Sequence, residues 1–393
     1  MTFKNGGAKL QVLTLASLVA VLAIFSPGAS AAGTGSEDAF FENSSGTPIL
    51  GLIQKAQRTL DIETYTMNDP QVDKELRNAI GRGVKVQVVE EKIPVGATCH
   101  PFGDSTKPSS QTPDCLRQQD LVKFVNDNGG QYVPFSKSLC GKAGSRCYQH
   151  GKIAIVDGAT ALISTGNFDS TSLCDHSAGP KNCDRDYTIV SQDRSVVSML
   201  QTIFSNDLAS RPSDLENIRG SRLTVSPDSM EPIIDFIGSA KKTLQIETQY
   251  LNDPTMNQAI IDAANRGVSV SVMVSSACSF GTPKGSAVTK WNDTYSSFDD
   301  AGIKTNIFDG NIKVGGLKGY LHAKTIIVDG TNAWVGSVNG STTALTNNRE
   351  FGIFLKDSAL VASLNQFVSS DFNSPLGESW QDSIACKYEH GGR

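Results

Sequence analysis

Two short stretches of the chain carry the residues best equipped for chemistry. Residues 148–158 read YQHGKIAIVDG and residues 320–330 read YLHAKTIIVDG. Each sets a His, a Lys two positions on and an Asp five beyond that around an apolar run. These are His150, Lys152 and Asp157 in the first copy and His322, Lys324 and Asp329 in the second. His and Lys two apart on an extended strand project from the same face, so one ligand can meet both. Two copies of one reactive pattern imply one shared site.

Each copy is followed by the same kinds of polar group. Ser164-Thr165-Gly166-Asn167 is matched by Gly336-Ser337-Val338-Asn339, and Asp184-Arg185-Asp186 by Asn348-Arg349-Glu350. Each half therefore offers one His, one Lys, one amide, one hydroxyl and one carboxylate. That inventory suits a phosphodiester, whose unesterified oxygens need cationic and amide donors. Its phosphorus needs a nucleophile and its leaving oxygen a proton, and a His can serve either purpose. Asp157 and Asp329 belong to the motif and are counted with its catalytic residues. Standing at Asp-Gly turns, they are better suited to holding a loop than to touching phosphate.

The elements that must position these groups are also written twice. Residues 47–57 and 231–241 have helical spacing, and LDIETYTMNDP at 60–70 and LQIETQYLNDP at 244–254 read as strands running into loops. Helices over 74–80 and 257–264 follow, with Gly83 and Gly267 placed for a left-handed turn at their ends. Alternating strands come next at 84–89 and 268–274. A further helix and strand, at 121–126 and 132–135 or 291–299 and 304–308, precede each reactive stretch. Helices alternating with strands indicate α/β lobes. The polar segment 210–228 is the expected seam.

The N-terminus and the cysteines bound the setting. Lys4 and Lys9 precede an apolar run over 10–25, then Ser26-Pro27-Gly28 and Ala29-Ser30-Ala31-Ala32, the pattern of a secretory signal peptide over 1–32. A retained anchor would need roughly 20 apolar residues, and no other stretch could span a bilayer. Cleavage would remove two Lys and no acid, leaving the exported chain more acidic than its formal charge of −5. All eight Cys lie beyond that point and form no Cys-x-x-Cys pair, which favours disulfides over metal. Nearest-neighbour pairing gives Cys99–Cys115, Cys140–Cys147 and Cys174–Cys183, with Cys278–Cys386 by elimination. Six of these Cys fall where the first half is longer than the second, between Glu63 and His150 and between Asn167 and Asp186. His100 and His176 read as rim or surface residues and His390 as part of a polar terminus. Glu63 and Glu247 end matched strands and face the cleft, lie exposed or make structural hydrogen bonds.

The duplicated pattern resembles the phospholipase D superfamily, defined by two His-x-Lys-x4-Asp motifs, each followed by Gly-Ser-x-Asn. The second copy, HAKTIIVDGTNAWVGSVN, matches throughout, as does Asn348-x-Glu350. The first, HGKIAIVDGATALISTGN, departs at Ser164 and Thr165, although Thr keeps the hydroxyl. The resemblance covers essentially the whole exported chain. It implies an α/β fold of two similar lobes, 33–215 and 216–393, each a mixed sheet flanked by helices, with one active site on a pseudo-twofold axis between them.

The same resemblance implies a mechanism. His150, the N-terminal His favoured by the resemblance, attacks phosphorus to form a phosphohistidine, and His322 protonates the departing alcohol and then activates water or an acceptor alcohol; pseudo-symmetry leaves the exchange of these two roles open. Lys152, Lys324, Asn167 and Asn339, with Thr165 and Ser337, are the expected phosphate-binding groups. Asp186 is expected to orient His150, and Glu350 to orient His322. No metal and no cofactor is called for. The expected activity is hydrolysis of glycerophospholipids such as phosphatidylcholine by a secreted or periplasmic phospholipase D, with transfer to alcohols alongside. The expected partner is phospholipid at a membrane surface, met by a monomer with no membrane-spanning helix. An exported nuclease is the second reading, disfavoured by an acidic chain because nucleic acid calls for a basic groove. A cardiolipin-synthase-like phosphatidyl transferase is a third, and a non-catalytic binding or effector protein a fourth.

Overall fold

The computed structural model describes residues 31–32, 37–45, 47–96, 99–103, 111–142, 146–174 and 182–388. Apart from Ala31 and Ala32, the expected signal peptide lies outside the described residues, as do His176 and His390. The first half supplies β1 (Ala31–Ala32), β2 (Asp38–Glu42), β3 (Thr59–Thr64), β4 (Lys85–Glu90), β5 (Gln131–Pro134), β6 (Ile153–Val156), β7 (Thr160–Ser164), β8 (Asn182–Arg185) and β9 (Tyr187–Ser191). The second supplies β10 (Leu223–Ser226), β11 (Thr243–Thr248), β12 (Ser269–Ser275), β13 (Lys304–Phe308), β14 (Lys313–Val314), β15 (Leu317–Leu321), β16 (Lys324–Val328), β17 (Asn332–Gly336) and β18 (Glu350–Leu355).

Two mixed sheets repeat one plan. The first runs β1-β2-β9-β7-β6-β3-β4-β5 and the second β10-β18-β17-β16-β11-β12-β13. In each, the three strands at one end are parallel and the rest antiparallel. Strands β6, which starts just after Lys152, and β16, which starts with Lys324, are buried along their whole length, which is why Ile153–Val156 and Ile326–Val328 are continuous apolar runs rather than alternating ones. The second sheet begins inside the expected seam, with β10.

The repeated Asn-Asp-Pro stretches end differently from expectation, because they start helices. Asp69 accepts from the N–H groups of Gln71 and Val72 and caps the helix Pro70–Gly81; Asp253 accepts from Met256 and caps Pro254–Asn265. Proline in the first turn loses no bond there. Gly83 and Gly267 close these helices at φ 90° and 87°, as the spacing predicts.

Helices Arg194–Leu208 and Ser358–Phe372 stand between the sheets. Leu200, Ile203 and Phe204 of the first and Leu360, Leu364 and Val368 of the second join Ile163 of β7 and Val335 of β17 in one apolar core. Each lobe also has an outer core under its other helices. The two halves thus bury a common interior.

All four disulfides pair as nearest-neighbour reasoning predicts: Cys99–Cys115, Cys140–Cys147, Cys174–Cys183 and Cys278–Cys386. Among the described residues no helix is long and apolar enough to cross a membrane.

Candidate active site

Backbone pairing across the lobes builds the site. Strand β8 runs parallel to β15 with Arg185 opposite Leu321, and the His322 N–H donates to the Arg185 carbonyl at 3.1 Å. The next residues, Asp186 and His322, are therefore brought side by side. On the other side of the axis Gln149 bridges Arg349, and the His150 N–H donates to the Arg349 carbonyl at 2.8 Å, which sets Glu350 beside His150.

This register crosses the orienting pairs. His150 Nδ1 lies 2.9 Å from Glu350 Oε2, and His322 Nδ1 lies 3.1 Å from Asp186 Oδ1. The expected pairing within each half, Asp186 with His150 and Glu350 with His322, is corrected: each carboxylate serves the His of the opposite half. Glu350 is held below the usual carboxylate range; burial opposes this, but His150, Lys152 and the Asn348 amide outweigh it. A carboxylate only accepts, so His150 Nδ1 is the donor and Nε2 keeps a lone pair. Burial pushes His150 down to about 4 against the pull of Glu350, with Lys152 and Lys324 adding to the shift. Although 14% of its side chain is reachable by solvent, packing on its other faces desolvates the ring. At neutral pH its ring is uncharged.

The two Lys are fully buried, and their ammonium groups lie against the carbonyls of His150 and His322 respectively. Lys324 also reaches the Thr165 carbonyl at 3.3 Å, so it spans both halves. Asn167 donates one amide N–H to Asp169 and Asn339 one to Gln249. A primary amide has two such hydrogens, so each has a second donor beyond these bonds.

Two expected phosphate ligands have other tasks. Thr165 Oγ1 donates to Asp186 at 2.6 Å and accepts from the Tyr187 N–H, and Ser337 Oγ bonds both the N–H and the carbonyl of Phe351. Both hydroxyls are fully buried against the strand that carries the acid, so they position it rather than bind phosphate. Gly166 is required beside Thr165, since a Cβ there would stand 2.5 Å from Asp186 Oδ2. Ser164 replaces Gly336 for a local reason. In the second half Trp334 packs over Gly336 and Gly352, whereas in the first Leu162 leaves room for a Ser164–Thr188 hydrogen bond.

Asp157 and Asp329 are not catalytic in this geometry. Each sits at the far end of its strand, at φ 53° and 54°, about 16 Å from the reactive Lys at the rise of an extended chain. Asp157 accepts from the N–H groups of Gln57, Arg58 and Thr59, and Asp329 from those of Lys241, Lys242 and Thr243. Burial pushes both carboxyls up, but these backbone donors outweigh it and hold them below the usual range.

Ligand atoms of Asp184, Asp186 and His322 lie within 4.8 Å of one another, a spacing a metal ion could bridge. Thr171 and Ser172 donate to Asp184, while Thr165 and His322 occupy Asp186, which fits a hydrogen-bonded support for the His.

The family described as "Cardiolipin synthase, PLD-like domain" matches residues 49–208 and 233–372, one match per lobe. The chain belongs to the phospholipase D superfamily. A cardiolipin synthase of Clostridium perfringens is 26% identical over 84% of this chain and 68% of its own length. The major cardiolipin synthase ClsA of Bacillus subtilis is 25% identical over 80% of this chain and 64% of its own. The solved phosphatidylserine synthase of Haemophilus influenzae superposes with a TM-score of 0.60 over 89% of this chain and 88% of its own, at 14% identity, and so shares the fold.

Within this superfamily site, the residues missed by sequence reasoning are the buried straps behind the His. Arg349 pairs with Asp207 on the opposite lobe's helix at 2.7 Å, beside Glu63, and Arg185 pairs with Asp371 at 2.7 Å while also reaching Glu42. Each acid–Arg–acid or Asn–Arg–acid tripeptide thus gives its carboxylate to the other lobe's His and its Arg to the other lobe's helix. The visible signal was an Arg at the same place in both tripeptides. Glu63 and Glu247 do not line the cleft. Both are fully buried, taking hydrogen bonds from Gln149 and Tyr187, and burial pushes Glu247 up to about 8 and Glu63 well above its ordinary value. His100, expected at the rim, is also buried, next to the Cys99–Cys115 disulfide.

Proposed function

We propose that this protein transfers the phosphatidyl group of a glycerophospholipid to an alcohol acceptor, giving cardiolipin-type products, with hydrolysis to phosphatidic acid as the competing outcome when water takes the acceptor's place. The observation that carries the reading is the crossed pair of His–carboxylate contacts about two buried Lys. His150 Nε2 attacks phosphorus, the bond to the head-group oxygen breaks, and His322 supplies the proton to that oxygen. His322 then removes the acceptor's proton as its oxygen attacks, and the bond from phosphorus to His150 breaks. Lys152, Lys324, Asn167 and Asn339 hold the phosphoryl oxygens as charge shifts between them.

The names of the relatives favour transfer over the hydrolysis expected first from sequence, and their identity extends over most of the chain. A formal charge of −5 disfavours the nuclease reading. The four disulfides fit an oxidising, extracytoplasmic compartment, so the substrate would lie on an outer membrane face or in the periplasm. The test is incubation of the oxidised protein with phosphatidylglycerol, with and without added ethanol. Phosphatidylethanol and cardiolipin formation support transfer; phosphatidic acid alone at every ethanol concentration would leave hydrolysis as the activity. Cleavage of single-stranded DNA with no lipid turnover would make it a nuclease.

A further inference from the structure

The two halves of the site mouth have different walls. On the His150 side, Tyr65 and Tyr148 are half-buried, with rings 6.2 Å apart, and Tyr65 meets the His150 ring edge-on at 4.9 Å. At the matching positions of the second half stand Gln249 and Tyr320, both buried and joined by a hydrogen bond of 2.9 Å. The open side is therefore the first lobe's.

One loop hangs from that side. The Val95 N–H donates to Tyr65 Oη at 2.5 Å, which fixes the segment after β4 at the mouth. Pro94 is buried, but Ile93 is 45% and Val95 69% exposed. Among the described residues five large apolar side chains are exposed. Three of them, Ile93, Val95 and Leu116, lie on this insert, Leu116 being next to the Cys115 that is tied to Cys99. The corresponding segment after β12 is inward-facing, with Ser276, Cys278 and Ser279 buried.

Cations border the apolar tip. Lys92, Lys142 and Arg146 are exposed. Lys137 fastens their segments together by bonding the Glu91 carboxylate and the Cys147 carbonyl, the neighbours of Lys92 and Arg146. Exposed apolar side chains beside exposed cations are the combination that binds an anionic lipid surface, where each cation adds to the attraction and each apolar side chain to insertion. A polyanion such as nucleic acid would use the cations but give Ile93 and Val95 no partner.

We propose that residues 92–96 form a membrane-docking loop, which inserts Ile93 and Val95 into an anionic phospholipid bilayer and seats the mouth between Tyr65 and Tyr148 on its surface. This rests on the lipid reading of the site. Its test separates docking from turnover by measuring each alone. Oxidised protein is sedimented with vesicles of phosphatidylcholine, or of equimolar phosphatidylcholine and phosphatidylglycerol, and turnover is followed separately on a short-chain, monomeric phospholipid.

Ile93→Ser with Val95→Ser should lower partitioning onto the mixed vesicles by about tenfold or more, given the apolar area withdrawn, and leave turnover of the monomeric substrate unchanged. Lys92→Gln should weaken binding to mixed vesicles and leave binding to phosphatidylcholine alone unaltered. Ile93→Trp should show blue-shifted emission with vesicles, quenched by brominated acyl chains. A double variant that sediments like the wild type, or a wild type that ignores both vesicles, overturns the proposal. Loop-dependent vesicle binding with no phospholipid turnover would uphold the docking loop and remove the proposed reaction instead.

Discussion

The His150 and His322 sides of the site carry the same kinds of group in the same crossed arrangement, yet their surroundings differ. His150 keeps 14% of its side chain exposed behind two tyrosine rings; His322 keeps 3%, behind a glutamine–tyrosine hydrogen bond. Duplication preserved the chemistry because each half completes the other's His, so neither set could drift alone. Access was not bound by that constraint, and three of the four disulfides clip segments of the first half.

The largest effect expected is on the pair itself. His150→Asn or His322→Asn should lower turnover on the order of 10⁴-fold with the folded circular-dichroism spectrum retained, and near-normal activity in either would break the shared site. The supporting acids should then separate the two roles. Glu350→Gln is expected to cost about 10³-fold with any leaving group, since it misorients the nucleophile. Asp186→Asn should cost as much with a choline or glycerol leaving group, while the first-turnover burst of p-nitrophenol, which departs without a proton, should lose far less than the steady-state rate. Equal losses in burst and steady state would contradict the crossing.

Stability should follow the straps. Arg349→Leu would leave Asp207 buried beside Glu63, and Arg185→Leu would leave both Asp371 and Glu42 without their partner. Each should lose about 3 kcal/mol or more in denaturant unfolding, Arg185 the more because it holds two acids.

The pH dependence gives a smaller test. Rate should fall on the acid side with an apparent value near 4, belonging to the coupled His150–Glu350 pair, and Glu350→Gln should move that limb to lower pH because Glu350 raises His150. Since the fold favours neutral His150, its contribution to stability is complete above the unfolded value of 6.5 and is lost as pH falls toward 4. Smallest of all, Asp157→Ala and Asp329→Ala should each cost about 1 kcal/mol of stability with kcat unchanged, equal in the two lobes.

Much of this was legible in the chain. The repeat, the Gly83 and Gly267 helix ends and the two His-x-Lys pairs follow from local spacing, and three disulfides join nearest neighbours, whereas Cys278–Cys386, 108 residues apart, came only by elimination. The crossing was not, because aligning two halves pairs each acid with its own His, and only the tertiary register of β8 on β15 and of Gln149 on Arg349 reverses it. Thr165 and Ser337 misled for a related reason: a hydroxyl near a reactive Lys in sequence can face the strand behind it. The Arg straps were visible as residues but not as contacts, since Asp207 and Asp371 sit in helices of the opposite lobe.

The most direct test of a single site with a defined nucleophile is to trap its intermediate. Reaction with a short-chain phosphatidyl p-nitrophenol ester, acid-free quenching and peptide mass mapping should place the phosphatidyl adduct on His150, and Glu350→Gln should reduce its formation while Asp186→Asn leaves it nearly intact. An adduct on His322, or one on His150 lost equally in both variants, would contradict the account.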